Sequence, residues 1–337
     1  MHDTGGLLLL PPEVEPPRPC PDGVELTFGG AIYGTTWMVR LIADGEAAPD
    51  LASALKCRCE EQLARIDAQM SPWIGDSTLS RYNALAPGDA MVLPEPMRSV
   101  VAEACELHAL TGGAFDPFLG AATDLWGFGS LTVADGLANP GHCARLRDLR
   151  AAPRPRWDGA QLERGDGFAL DLCGIAKGHA VDALHDLVRA APSVTAVLVE
   201  IGGEAAGFGI KPDAMPWWLD LEWPGAFAGG RAVAALHGWA CASSGSDVRF
   251  FDHGGRRFSH SMDPRTAEPS DSDLRGASVF ARRCVRADAL ATALVVMGLE
   301  QARDFAQDHA IPCLLIPADP AAGPVMSAAL TRWATDG

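Results

Sequence analysis

The sequence is short of positive charge: Lys and Arg number 27 against 43 Asp and Glu, a formal net charge of −16. That deficit excludes a broad nucleic-acid footprint, because binding the phosphate backbone depends on clustered cations that release counterions. A small phosphorylated ligand stays compatible, since it needs only one or two local cations, backbone N–H groups or a metal. No apolar run approaches the roughly eighteen residues needed to span a bilayer. The opening residues MHDTGGLLLLPPEVEPPRPC carry no Lys or Arg ahead of the apolar Leu7 to Leu10, which is too short for the core of a signal peptide. The expectation is a cytoplasmic protein. Nine cysteines form no CxxC pair and, apart from Cys57-x-Cys59, stand singly. Reduced thiols suit that pattern better than disulfides or a zinc site. No GxGxxG opens a helix and no GxxxxGK[ST] is present, so the common nucleotide loops are excluded. No short-period repeat occurs.

What is present is a globular composition, 48% hydrophobic and 21% charged, far from the signature of disorder. At 337 residues the length allows two or three domains. Pro11, Pro12, Pro16, Pro17, Pro19 and Pro21 crowd the start, so residues 1–22 are expected to be a flexible arm. Residues 23–337 are expected to form one domain of two closely associated α/β subregions. Val24 to Leu41 mixes β-formers with glycines and predicts a hairpin. Leu51, Leu55, Cys59, Leu63, Ile66 and Met70 recur every three or four residues, the mark of an amphipathic helix. A second helix is expected over 95–110. Phe168 to Leu172 is a strand candidate ahead of a helix with Ala180, Val181, Leu184, Leu187 and Val188 on one face. Strands are expected over 195–201, 217–223 and 231–241, and VRFFDHGGRRFSHSM predicts a hairpin turning at 252–255. Helices over 288–297 and 300–309 and a strand over 311–316 follow. This order predicts an α+β fold with mixed or antiparallel sheets and packed helices.

Four stretches can carry chemistry. In DLCGIAKG, 171–178, Gly174, Lys177 and Gly178 stand where a strand turns into a helix. Free N–H groups and the helix dipole make such a turn a phosphate site, although a plain strand-to-helix turn reads the same way. In ADALATAL, 287–294, Asp288 and Thr292 are four apart and share a helix face. Such hard oxygen ligands suit Mg2+; the alternative is an acid merely favoured near a helix N-terminus. TGGAFDPFLG (111–120) with LWGFG (125–129), and Trp73 in MSPWIGDSTLSRYN, offer rings that can stack on a flat heterocycle or simply pack in the core. In FSHSMDPRTAEP, 258–269, His260 is the candidate general base, since an imidazole with a pKa of about 6.5 accepts a proton at neutral pH. Pro264 restricts Asp263 to extended geometry, and Asp263 is expected to orient the loop or the imidazole.

Taken together and in order, YGTTW (33–37), MSPWIGDSTLSRYN (70–83), TGGAFDPFLG with LWGFG, LDLCGIAKGHAVD (170–182), EIGGE (200–204), SSGSDVRFF with RFSHSMDPRT (243–266) and ADALATAL resemble the ApbE family of FAD:protein FMN transferases. The resemblance implies an ApbE-like fold. It also implies that FAD is the donor substrate, its FMN moiety passing to a Thr or Ser hydroxyl of an acceptor protein with Mg2+ required and AMP released. The metal would rest on Asp288 and Thr292 with backbone oxygens of Gly174 and Ala291. FAD would touch Tyr33, Trp73, Ala114, Phe115, Asp116, Asp171, Lys177 and Ser261, beside His260. Cleaving a pyrophosphate requires its charge to be neutralised, which a metal, Lys177 and a helix N-terminus can do. Tyr33 stands where family members often have methionine, and Cys173-Gly174 replaces the usual glycine pair. Two alternatives use the same site: an FAD pyrophosphatase, in which water replaces the acceptor hydroxyl, and an inactive FAD-binding accessory protein.

Overall fold

The computed structural model describes residues 7–12, 20–45, 48–130, 138–221, 223, 231–246 and 249–335. Eight strands, Gly23–Ile32, Thr35–Asp44, Val194–Ile201, Glu204–Phe208, Trp239–Gly245, Leu274–Ala281, Cys313–Pro317 and Val325–Met326, lie side by side in the order in which the chain makes them. Each is antiparallel to the next. Side chains alternate between the two faces of this sheet, as the pleat demands. Val39, Leu41, Val197, Val199, Ala240, Ala242 and Val279 enter the larger core. Ile42, Ala196, Leu198, Cys241, Phe280 and Leu314 enter a smaller one.

Helices Ala48–Met70, Met97–Leu110, Ala176–Arg189 and Cys284–Met297 close the larger core. The smaller core is closed by a second sheet, ordered Ala334–Thr335, Leu7–Leu9, Ala232–Leu236, Trp217–Leu221. The α+β architecture with mixed and antiparallel sheets is therefore present, the mixed sheet being the small one, where Leu7–Leu9 runs parallel to Ala232–Leu236. Among the described residues no helix is long and apolar enough to cross a membrane.

Three elements differ from the sequence reading. Leu7–Leu9, within the expected flexible arm, is a strand: Leu7 N–H donates to Arg231 O at 2.9 Å and Leu9 is fully buried. Leu9 joins Trp217, Leu221 and Leu236 in the smaller core, with Leu7 packed against it. Residues 1–6 and 13–19 of that arm lie outside the described residues. Phe168 to Leu172 is not a strand, because a side chain satisfies its backbone. Asn83 donates to Leu170 O at 2.9 Å and accepts from Leu170 N–H at 2.7 Å, so no neighbouring strand is needed. The expected strand over 231–241 breaks at Gly238, whose φ of 67° suits glycine. The chain leaves the small sheet there and enters the large one.

Candidate active site

Helix Cys284–Met297 crosses helix Ala176–Arg189 at Gly178. A Cβ on Gly178 would fall 2.5 Å from the Cys284 carbonyl oxygen and 2.8 Å from Asp288 Cβ, so only glycine permits the approach. Two carboxylates tie the crossing. Asp182 accepts from the N–H groups of Cys284 (2.8 Å) and Val285 (3.0 Å), and Asp288 accepts from Gly178 N–H at 2.9 Å. Both satisfy N–H groups that a first helical turn leaves open. Asp288 is thereby fixed and nearly buried. One turn on, Thr292 meets the backbone of Gly174, where a Cβ would lie 3.2 Å from Thr292 Oγ1.

Lys177, one of three lysines in the chain, donates to Glu204 Oε1 at 2.5 Å. Burial pushes the Glu204 carboxyl up to about 8, with the Asp288 charge adding to the rise and Lys177 opposing it. Burial also raises Asp288, against the pull of Lys177 and the Gly178 N–H. Two carboxylates thus share one ammonium, and Glu204 Oε2 is buried with no hydrogen-bond partner. Such a cluster is short of positive charge. The oxygens gathered here, from Asp288, Thr292 and the Gly174 backbone, fit Mg2+, which takes one or two carboxylates and fills its shell with other hard oxygens. No group of three or more His, Cys, Asp or Glu suited to a metal occurs among the described residues, and Mg2+ needs none.

The cluster lines a cavity of about 330 Å³ that His260 also lines. The His260 Nδ1 is 3.1 Å from the Arg249 carbonyl oxygen. A carbonyl only accepts, so Nδ1 carries the proton and Nε2 keeps its lone pair. Burial lowers the pKa of His260, the Arg249 carbonyl opposing and the charges of Arg249 and Lys177 adding to the fall. The ring is therefore a neutral base at neutral pH. Arg249 itself donates to Phe128 O at 3.0 Å and lies 5.9 Å from the ring of Trp73. Trp73 is 55% exposed, an unusual state for a tryptophan. Asp263 is engaged by Arg265 at 2.7 to 3.1 Å; it orients its own turn and not the imidazole.

Trp73, Ala114, Phe115, Asp116, Asp171, Gly174, Lys177, His260, Ser261, Asp288 and Thr292 line this one cavity. Tyr33 and Ala291 do not: the Tyr33 hydroxyl donates to Leu63 O at 3.3 Å, and Ala291 is fully buried in its helix. Asp116 is already occupied by Arg150, Arg154 and the Phe118 N–H. Burial alone would raise its pKa, but the two guanidiniums hold it at about 2. Asp171 accepts from Thr123 Oγ1 at 3.0 Å and from Cys173 N–H at 2.9 Å, shaping the loop before Gly174. Sequence reasoning assigned no role to Glu204 or Arg249. An acid directly after a β-branched strand and a glycine pair, as in EIGGE, was the available signal for Glu204.

The chain is similar to known proteins. Residues 33–315 match the ApbE family. A FAD:protein FMN transferase from Vibrio cholerae is 30% identical over 296 residues, 87% of each chain. One from Treponema pallidum is 31% identical over 300 residues, 82% of this chain and 80% of its own. The structure of Pseudomonas stutzeri flavinyl transferase ApbE in its apo form superposes with a TM-score of 0.83 at 30% identity, covering 92% of this chain and 97% of its own. Flavin transferase ApbE from V. cholerae gives 0.82 at 29%, covering 92% and 99%. Fold, cavity and matches together define the class, an α+β enzyme that is a transferase. The chain belongs to the ApbE family.

Proposed function

We propose that this chain transfers the FMN moiety of FAD to a Thr or Ser hydroxyl of an acceptor protein, with Mg2+, releasing AMP. Relatives named FAD:protein FMN transferase support the reading. The observation that carries it is the charge-deficient group of Asp288, Glu204 and Lys177 sharing one cavity with His260. Mg2+ held by Asp288 and Thr292, with the backbone oxygen of Gly174, would neutralise the pyrophosphate as charge builds on it. Burial works against the charge on Lys177, but Glu204 and Asp288 outweigh it and raise its pKa, so an ammonium faces the phosphates. Trp73 offers its exposed face to a flat ring of FAD. His260 Nε2 takes the proton of the acceptor hydroxyl. The hydroxyl oxygen then bonds to the phosphorus on the FMN side, the P–O bond to the AMP side breaks, and AMP leaves with the bridging oxygen.

The test is incubation with FAD, Mg2+ and a candidate acceptor, read as flavin fluorescence and a mass gain on the acceptor of one FMN less a water. His260→Ala is expected to abolish the gain while FAD binding largely persists. Free FMN and AMP, with no mass gain on any acceptor, would replace this reading with hydrolysis.

A further inference from the structure

A second cavity, of about 480 Å³, shares the Ala114 and Asp116 wall with the first. It is basic in an acidic protein: Arg147, Arg150, Arg154 and Arg265 line it, while the chain carries −16. Arg147 and Arg150 occupy the last turn of helix Pro140–Arg150, where the helix dipole favours cations, and Arg154 follows four residues on. Aromatic rings hold two of these groups in place. The Arg150 guanidinium lies 5.1 Å from the ring of Phe168, and that of Arg154 lies 5.1 Å from Phe118 and 5.7 Å from Phe168.

The local charges do not cancel. Asp116 answers only one of the two guanidiniums that grip it, and Arg265 is matched by Asp263. Arg147 has Glu268 at 3.7 Å with both side chains about half exposed, a pairing worth little. Arg150 is 8% exposed, and its Nε is buried with no hydrogen-bond partner. Phe168, Val296 and Met297 add an apolar wall. The volume falls within the span of roughly 300–1,000 Å³ usual for small-molecule sites.

We propose that this second cavity binds a small organic phosphate monoester, its phosphate against Arg147, Arg150 and Arg154 and its organic part against Phe168 and Met297. Guanidinium forks match phosphate oxygens in pairs, and a dianion calls for more than one of them. The apolar wall gives a reason for an organic ester to bind more tightly than inorganic phosphate. The inference does not depend on the transfer reaction.

The probe is phenyl phosphate, titrated calorimetrically into the full chain, with phenol and inorganic phosphate alongside. Saturable binding of phenyl phosphate is expected, weaker binding of inorganic phosphate, and none of phenol. Arg147→Ala, at a half-exposed side chain, should weaken phenyl phosphate roughly tenfold, the scale of a lost charge-assisted contact. Lys177→Ala, in the first cavity, should leave it unchanged, and circular dichroism of both variants confirms that they fold. Absence of saturable binding overturns the proposal. So does loss in Lys177→Ala with none in Arg147→Ala, which would place the probe in the first cavity.

Discussion

Asp288 and Asp116 are both buried aspartates on the wall of one cavity, 5% and 7% exposed, yet they are left in opposite condition. Asp288 shares the single ammonium of Lys177 with Glu204, and its pKa is raised by burial. Asp116 is gripped by two guanidiniums and is held at about 2 despite burial. Burial is nearly equal, so the partners decide the outcome. An acid given more cation than it needs is a brace, whereas one given less keeps an unmet demand for a cation. The structure supplies a brace and an unfilled demand within one wall, and only the second is suited to chemistry.

The largest expected effect breaks the charge-deficient side. Asp288→Asn should lower flavin transfer by on the order of 10³-fold, the scale for removing a group that stabilises transition-state charge. The metal-free variant should be as stable as the parent or more so, because a desolvated charge beside Glu204 disappears. Turnover and urea denaturation measured on the same preparation separate the two effects, and matching losses of stability and activity would erase the contrast. Next comes the brace. Asp116→Asn should cost about 3 kcal/mol of stability, since it strands two guanidiniums, one of them almost wholly buried. The urea midpoint should fall with the slope unchanged, and a shift below about 0.5 kcal/mol would show that the brace carries no load.

The charge-deficient side was largely legible in the sequence. Asp288 and Thr292 sit four apart on one helix, so helical geometry alone places them together. Lys177 and His260 lie in stretches whose glycines and proline mark turns, and both reach the cavity. Glu204 was not legible as a partner, because its link to Lys177 spans 27 positions and depends on how a strand packs on a helix. The brace was read only as a flavin contact through family resemblance. Its partners lie 34 and 38 positions away, beyond a segment without apolar period. Leu7–Leu9 shows the same limit: the four leucines between glycines and prolines carry no strand period, and pairing with Ala232–Leu236 and Ala334–Thr335 is what makes three of them a strand. Local pattern reveals elements and pairs within a turn, whereas charge balance is set by chain segments that meet only after folding.

Asp116 and the interacting pair of Glu204 and Asp288 should also differ in the sign of their pH dependence, a change of slope rather than of level. Asp116 has a native pKa below its ordinary 3.8, so its contribution is complete above that value and is lost as pH falls towards about 2. Glu204 has a native value of about 8 against an ordinary 4.5, so the folded state holds an extra proton between them. Stability therefore falls as pH rises from 4.5 to about 8 and is level above. Because Glu204 and Asp288 interact, the pair titrates as a unit. In metal-free protein the urea midpoint should decline across that window, and Glu204→Gln should remove most of the decline. Mg2+ should restore the midpoint of the parent more strongly at the alkaline end, where the carboxylates are ionised and bind it best. A midpoint that rises through the window, or one that behaves identically in Glu204→Gln, would mean that Lys177 alone satisfies both acids and that the cavity has no demand left for a metal.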